Sequence, residues 1–304
     1  TELAPVGSNV TLYEVDYGDL AKMNKVFEKH CPDTVIHLAA YKSISDSITS
    51  PLKYYDNNVS KLVQLLELCS RFSVSKFVFS SSASVYSCCG AKPLVETSLA
   101  GANLTNPYAR SKHIGEQIVA DFFKAHKHFS LVILRYFNPV GAHTSGKLGD
   151  NPRCEASNVM PSLLRSIVKN EGEFMIYGND YDTIDGTAIR DYIHVRDLAY
   201  AHVSAWRFMN VSTSQVKETF NIGTGNGFSV LQLVKAMAKI SVTIPFSIKP
   251  RRPGDLGCVV CNCDKAAKML GWKASRSLDN MCEDALKNAR LEKCLGHNGT
   301  ENQC

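Results

Sequence analysis

Three short, nearly uninterrupted apolar runs constrain this chain more than anything else in it. They are Thr34-Val35-Ile36-His37-Leu38-Ala39, Lys76-Phe77-Val78-Phe79-Ser80 and the stretch from Ser130 to Tyr136. None shows the in–out alternation of a strand with one wet face, so each must be covered on both sides. Segments of helical spacing separate them: Leu20 to Lys29, Asn57 to Arg71 and Tyr108 to Lys124, the last with Ile114, Ile118, Val119, Phe122 and Phe123 on one face. Val10 to Val15 reads as a further strand ending at Asp16. Strands that alternate with helices predict an α/β chain built on a parallel, doubly wound sheet.

The texture changes after Asn138. Gly, Asn, Asp and Pro crowd Pro139 to Pro152, a loop-rich connection. Helices are then predicted over Val159–Lys169, Val195–Phe208, Val230–Lys239 and Leu278–Ala289. Short strands are predicted near Phe174–Tyr177, Thr219–Ile222 and Phe246–Lys249, and a polar, frayed tail over Lys293–Cys304. This reads as a first domain over 1–138 and a smaller α/β lobe over 139–304. The 304 residues suit that size.

Composition narrows the function classes. The 34 Lys and Arg against 29 Asp and Glu leave a net charge of +5 with no basic block, so nucleic acid is not the expected partner. No apolar run approaches the roughly 18 residues of a membrane span, and Thr1-Glu2-Leu3-Ala4-Pro5 is not laid out as a signal peptide. The 11 cysteines are odd in number and unevenly spaced, with Cys88-Cys89 adjacent and Cys258, Cys261 and Cys263 clustered. That pattern predicts reduced thiols in the cytoplasm rather than a disulfide scaffold. Cys258-x-x-Cys261-x-Cys263 has no second ligand pair at finger spacing, so no metal is expected. Asn-x-Ser/Thr triplets at Asn58, Asn103, Asn210 and Asn298 occur as often by chance.

Two patterns carry chemistry. Tyr108-Ala109-Arg110-Ser111-Lys112 opens a helix, and positions i and i+4 share a face. An ammonium beside a phenol favours the phenolate and yields a base able to take a proton from a hydroxyl near neutral pH. Tyr-x-x-x-Lys alone is common. The second pattern is Phe77-Val78-Phe79-Ser80-Ser81-Ser82-Ala83-Ser84, a buried strand that discharges hydroxyls at its carboxyl end, where open α/β sheets bind ligands.

Together these residues resemble the extended short-chain dehydrogenase/reductases, and within them the UDP-glucose 4-epimerases. The supporting segments include His37-Leu38-Ala39-Ala40 with Lys42, Tyr54-Tyr55-Asp56-Asn57-Asn58-Val59, Asn106-Pro107-Tyr108 and Leu134-Arg135-Tyr136-Phe137-Asn138-Pro139-Val140-Gly141. Tyr177-Gly178-Asn179-Asp180-Tyr181, Arg190-Asp191-Tyr192-Ile193-His194-Val195 and Arg251-Arg252-Pro253-Gly254-Asp255 extend the resemblance to nearly the whole chain.

The resemblance implies a Rossmann-like domain that binds NAD, a lobe that binds the UDP-sugar, and a homodimer. It implies interconversion of UDP-glucose and UDP-galactose at C4 through a 4-keto sugar, as in galactose metabolism. Tyr108 would be the base, Ser82 would hydrogen-bond the C4 oxygen, and Lys112 would bond the nicotinamide ribose and hold down the Tyr108 pKa. Asp16, Tyr17, Leu38, Ala39, Ala40, Lys42, Asn58, Tyr136 and Phe137 match the other cofactor positions. Asn138, Asn158, Val159, Met175, Ile176, Tyr177, Arg190, Arg252, Asp255 and Val259, with Lys42, Ser82, Ala83, Ser84, Tyr108, Tyr136 and Phe137, match the UDP-sugar positions. Two arginines suit a diphosphate. Val259 matches a position beside the sugar, where a small residue leaves room for an N-acetyl group. UDP-GlcNAc and UDP-GalNAc are therefore expected as further substrates.

The family opens with a strand and a glycine-rich turn that cradle the NAD pyrophosphate. Before Asp16 the sequence has only Gly7, so the Rossmann-like sheet is expected to be truncated at its N-terminus and the chain as given to be poorly soluble and free of NAD. Gly223-Thr224-Gly225-Asn226-Gly227 also follows a strand, but it matches a turn of the second lobe. Two alternatives stand beside the epimerase: an inactive truncated paralogue or fragment, and a nucleotide-sugar 4,6-dehydratase. The dehydratases carry an Asp-Glu pair where this chain has Ala83-Ser84.

Overall fold

A computed structural model describes residues 9–87, 93–150, 152, 158–169, 172–241, 244–252 and 254–298. Cys88, Cys89, Pro253, Gly7 and the tail beyond residue 298 lie outside the described residues.

The first half runs α1 (Leu20–His30), β1 (Thr34–His37), α2 (Ile44–Thr49), α3 (Pro51–Tyr55), a π-helical turn at Asp56–Ser60, α4 (Lys61–Arg71), β2 (Lys76–Ser82), α5 (Pro107–Ala125), β3 (Ser130–Tyr136) and β4 (Asn138–Val140). The second continues with α6 (Val159–Leu164), β5 (Phe174–Tyr177), β6 (Ile189–His194), α7 (Val195–Val211), β7 (Lys217–Ile222), β8 (Gly227–Ser229), α8 (Val230–Ala238), β9 (Phe246–Lys249), β10 (Cys258–Val259), α9 (Asp264–Leu270) and α10 (Leu278–Asn298).

The main sheet is parallel, in the order β1-β2-β3-β7. Its inner strands are sealed on both faces, as their apolar runs require. Phe77, Phe79, Leu131 and Ile133 pack on one side with Leu62, Leu65 and Leu66 of α4 and Val119 of α5. Val78, Val132 and Leu134 face the other way, onto Leu198, Ala201, Ala205 and Met209 of α7 and onto Trp272. Burial of that many large side chains, at about 1.5–3 kcal/mol each, is the main favourable term holding the helices to the sheet. A second core joins β5, β6, α6, α8 and α10 through Leu163, Ile176, Tyr192, Leu233, Met237 and Met281. Among the described residues no helix is long and apolar enough to cross a membrane.

Four expectations need correcting. Val10–Val15 is not a strand: Val10 and Leu12 are 63% and 78% exposed, and a strand needs a ladder partner that residues 9–16 do not have among the described residues. The strand predicted near Thr219–Ile222 and assigned above to the second lobe runs Lys217–Ile222, is the fourth strand of the first sheet and pairs with β3 from Leu131 to Tyr136. The chain therefore returns to the first sheet after leaving it at Asn138. Residues Lys293 to Asn298 continue α10 instead of fraying, held where Asn288 Nδ2 and Lys293 Nζ donate to the Gly146 and Val168 carbonyls at 2.8 and 2.7 Å. The Asn57–Arg71 helix is interrupted at its start by the π-helical turn.

Candidate active site

The carboxyl end of β2 meets the first turns of α5. Asn106 caps that helix, its Oδ1 accepting from the Ala109 amide at 2.8 Å, and Pro107 fills the first helical position. The start is thus fixed, and Tyr108, Lys112 and Glu116 fall at i, i+4 and i+8 on one face. Gly115 lets α5 lie directly on β2: a Cβ there would sit 2.6 Å from the Phe79 ring.

Lys112 is 4% exposed. Its Nζ donates to the Ser80 carbonyl at 2.7 Å and lies 5.4 Å from the centre of the Phe79 ring. Burial pulls its pKa down to about 8, with the Glu116 carboxylate opposing. The half-buried Tyr108 phenol is pushed up by burial, while the Ser82 hydroxyl pulls the other way. The expectation that Lys112 depresses Tyr108 is therefore not met in this arrangement. The ammonium is directed at a backbone carbonyl, and desolvation governs the phenol. His37, 5% exposed, is lowered to about 4, first by burial and then by the charge of Lys112. Burial likewise raises the Tyr136 phenol, whose hydroxyl meets His202 Nε2.

Ser82 ends β2 and caps the short turn Ala83–Val85, its Oγ accepting from the Ser84 amide and hydroxyl at 3.2 and 2.9 Å. Ala83 and Phe137 pack in one cluster with Tyr86, Leu94, Val259 and Cys261. Val259 in turn pairs with Arg190 between β10 and β6. Arg190 donates to the Leu256 carbonyl at 2.8 Å and lies 3.6 Å from Asp255. Arg252 stacks over the Tyr177 ring at 3.9 Å. Ser82, Ala83, Ser84, Phe137, Val259, Arg190 and Asp255 thus form one connected surface.

Other candidates lie elsewhere. Asn138 pairs with Tyr192 across β4 and β6. Asn158 and Val159 open α6, which packs on α10. The Ile176 side chain belongs to the second core, and Met175 meets the Ser247 hydroxyl through its sulfur at 3.0 Å.

Candidate cofactor residues line the open edge of β1. Leu38 is 60% exposed, Ala39 is exposed and Ala40 half-buried. Lys42 is exposed and pairs with Asp150 at 3.3 Å. Asn58 is buried: its Oδ1 accepts from the Tyr41 amide at 2.9 Å, and its Nδ2 donates to the Tyr41 carbonyl and Ser111 Oγ at 3.0 and 3.1 Å. That amide ties the segment after β1 to α5. Asp16 accepts from Lys61 Nζ at 2.8 Å and from the Gly18 amide at 2.7 Å, which together lower its pKa. The Tyr17 hydroxyl donates to the Asn57 carbonyl.

Three residues of this region were not singled out from the sequence. Glu116 is buried and accepts from Arg135 Nε and Nη2 at 2.9 and 2.7 Å and from the Ser81 hydroxyl. This ion pair lies beneath the Ser80-Ser81-Ser82 strand end. The third is Asp191, wholly buried, which accepts from the Thr224 amide and hydroxyl, both at 2.8 Å, and from the Gly225 amide at 2.9 Å. The glycine-rich turn after β7 thus wraps the carboxylate of Asp191 on β6 and leads from the first sheet to β8, which pairs with β6. The signal for Glu116 was present in the i, i+4, i+8 spacing.

A sheet of this type with Ser, Tyr and Lys at one strand end defines a class: the Rossmann-like enzymes of the short-chain dehydrogenase/reductase kind. The model of the NAD dependent epimerase/dehydratase family matches residues 2–223. The chain is 43% identical over 279 residues to a UDP-glucose 4-epimerase of Caenorhabditis elegans, covering 91% of this chain and 80% of that protein. The crystal structure of UDP-glucose 4-epimerase from Bifidobacterium longum in complex with NAD+ and UDP superimposes with a TM-score of 0.89 at 42% identity, over 94% of this chain and 85% of that one. The UDP-Glc/GlcNAc 4-epimerase of Campylobacter jejuni does so with a TM-score of 0.77 at 32% identity, over 92% and 84%. The chain belongs to the NAD dependent epimerase/dehydratase family.

Proposed function

We propose that this chain interconverts UDP-glucose and UDP-galactose by inverting sugar C4 with NAD. The observation that carries this is the strand end where Ser82 lies beside Tyr108, with Lys112 one helical turn on and Ala83 and Ser84 in the places where elimination would need carboxylates. When bound, NAD supplies a hydride acceptor that takes hydrogen from C4 and returns it.

The residues present fit such a cofactor. Among the described residues, the one hydrogen-bond acceptor of the buried Lys112 ammonium is the Ser80 carbonyl, which leaves donors for ribose hydroxyls. On the resemblance, Leu38, Ala39, Ala40, Lys42, Tyr136, Phe137, Asn58, Asp16 and Tyr17 contact the rest of the cofactor, and Leu38 and Ala39 are exposed apolar residues available for it. Ser82 donates to the C4 oxygen and orients the hydroxyl. Tyr108 accepts its proton, and Lys112, held at the Ser80 carbonyl, bonds the nicotinamide ribose. In the return step Tyr108, now protonated, gives the proton back to the C4 oxygen. Arg190 and Arg252 meet the diphosphate as bidentate donors, with Asp255, Asn138, Asn158, Val159 and the Met175–Tyr177 backbone around the nucleotide. By this reading residues 1–138 carry the cofactor and 139–304 mainly the sugar, apart from Lys217–Ile222.

The same resemblance makes the working unit a homodimer, which sedimentation of the purified chain tests. Among the described residues Cys31, Cys69, Cys261, Cys263, Cys282 and Cys294 form no disulfide, which fits a reducing cytoplasm. The primary assay supplies NAD and UDP-galactose and follows the sugar by NMR. UDP-glucose is the expected product. A 4-keto-6-deoxy product would transfer the chain to the dehydratases, and no turnover would favour an inactive relative.

A wider substrate range rests on Val259, which is half-buried beside Ala83 and Phe137 and in register with Arg190. Val leaves space that Tyr would fill, so UDP-N-acetylgalactosamine is expected to turn over as well. Val259→Tyr is expected to remove the N-acetyl activity while sparing UDP-galactose. Parent enzyme inactive on the N-acetyl sugar would end this reading.

A further inference from the structure

Two cysteines beside this site have no part in the chemistry above. Cys261 is 1% exposed and Cys263 is half-buried, and their sulfur atoms are 3.1 Å apart. The distance is shorter than ordinary contact between two sulfurs and about 1 Å longer than a disulfide bond. Local pairing fixes the segment: Cys261 bridges Leu94, and the Leu94 carbonyl accepts from the Asn262 amide at 2.8 Å. Cys263 occupies the residue before α9. The backbone on either side of the pair is therefore fixed, with the two sulfurs in contact.

A third group completes the arrangement. Cys261 Sγ lies 3.1 Å from Asp191 Oδ2, the carboxylate that also accepts from Thr224 and Gly225. We infer that Cys261 and Cys263 form a reversible oxidation site, closing to an intramolecular disulfide when a peroxide reaches Cys263. Cys263 is the entry point because it is the more accessible sulfur. Burial, then the neighbouring thiol and Asp191, disfavour the Cys261 thiolate, so the first attack falls to Cys263 and Cys261 follows as the resolving thiol.

The steps balance. The Cys263 thiolate attacks one peroxide oxygen; an S–O bond forms, the O–O bond breaks, and the other oxygen leaves as water with the thiol proton. Cys263 is now a sulfenic acid. Cys261 then attacks that sulfur; the S–S bond forms, the S–O bond breaks, and the departing hydroxide takes the Cys261 proton by way of Asp191. The two sulfurs lose two electrons, the peroxide gains them, and two waters result. Closure removes the S–H group from Asp191 and draws in the segment that leads back through Val260 to Val259. On the reading of Val259 as part of the sugar site, the oxidised enzyme binds UDP-sugar more weakly.

The test treats the full chain with hydrogen peroxide, blocks remaining thiols, and maps peptides by mass spectrometry. The expected result is a peptide containing Cys261 and Cys263 that lacks two hydrogens, is unblocked, and reverts with dithiothreitol. Cys261→Ser should instead leave a sulfenic acid on Cys263 that a cyclic 1,3-diketone traps, and Cys263→Ser should show neither product. Retention of both thiols while exposed Cys31 and Cys294 oxidise would overturn the proposal, as would pairing of either cysteine with a third. These readouts need no turnover, so they stand apart from the epimerase assignment. A rise in KM for UDP-galactose that dithiothreitol reverses would extend the effect to the active site.

Discussion

β1 and β2 are paired neighbours, Thr34–His37 against Lys76–Phe79, yet their carboxyl ends stand in opposite surroundings. β2 ends among buried groups: Ser80, Ser81, Lys112, Glu116 and Arg135 are each less than a tenth exposed. β1 ends with one face open to solvent: Ile36 and Leu38 are 43% and 60% exposed, while His37 between them is buried. The residues proposed for proton transfer sit at the first end, and most of those proposed for the cofactor sit at the second. Where β2 ends, position is set by helix packing and buried hydrogen bonds. Where β1 ends, it is set by a few contacts such as Asn58 to Tyr41. Substitutions at the two ends should therefore differ in kind: loss of chemistry and stability at one, and little beyond ligand affinity at the other.

Tyr108→Phe is the largest expected effect. Loss of the acid/base should lower the epimerisation rate by about 10²–10⁴-fold, with the thermal midpoint nearly unchanged because the ring remains. Coupled detection of UDP-glucose formation gives the rate. Activity within a few-fold of the parent would remove Tyr108 from the mechanism.

Glu116→Ala comes next. It leaves Arg135 buried with its two hydrogen bonds to this carboxylate unmade and its counter-charge gone. Breaking a buried pair in this way costs about 3–5 kcal/mol. Urea unfolding measures it. A loss below about 1 kcal/mol would mean that the pair is solvated and the two strand ends are less different than their burial implies.

The contrast also shows what was legible in the sequence. The runs at Lys76–Ser80 and Ser130–Tyr136 announced buried strands because a parallel sheet covers both faces of its inner strands; Thr34–Ala39 also announced a strand, but not one covered on both faces, since Ile36 and Leu38 are 43% and 60% exposed. Tyr108 and Lys112 were legible because one helix carries both. The direction of their pKa shifts was not. Lys112 is held by the Ser80 carbonyl, a contact across 32 positions of sequence that helical spacing cannot reveal. Glu116 was passed over because a charge on a helix is usually solvated, and its partner Arg135 lies on another element, β3. Val10–Val15 has the composition of a strand, but pairing is a property of two segments, and none of the described residues pairs with it. Thr219–Ile222 was recognised as a strand and given to the wrong sheet for the same reason.

His37, at the last position of β1, probes the boundary between the two ends. It stacks on Phe79 with ring centres 6.1 Å apart and is buried neutral, with its pKa lowered from 6.5 to about 4. Between those values the unfolded chain binds more protons at this site than the folded one. Stability is therefore full above pH 6.5, falls as the pH drops toward 4, and loses on the order of 3 kcal/mol at most from this group. His37→Phe keeps a ring on Phe79 and should flatten the acid limb of a urea-midpoint profile. The limb does not vanish, because burial also depresses His194 and His202. A profile unchanged by the substitution would place His37 in contact with water.

Asp16→Asn should have the smallest effect on the fold, and it sharpens the comparison most. The carboxylate is largely exposed and pairs with Lys61, itself 20% exposed, at 2.8 Å. Ion pairs this open to solvent contribute about 0–1 kcal/mol and weaken with salt. Asparagine keeps an oxygen able to accept from the Gly18 amide, so the turn into α1 survives. The urea midpoint should move by less than the equivalent of 1 kcal/mol, and less still in high salt. NAD affinity, read by fluorescence titration or by cofactor retained through gel filtration, should fall by a larger factor if Asp16 meets the cofactor as proposed. A variant that loses several kcal/mol would show that the β1 end is as tightly built as the β2 end. A variant unchanged in both stability and affinity would remove Asp16 from the cofactor site and leave the exposed apolar surface of Leu38 and Ala39 to carry recognition there.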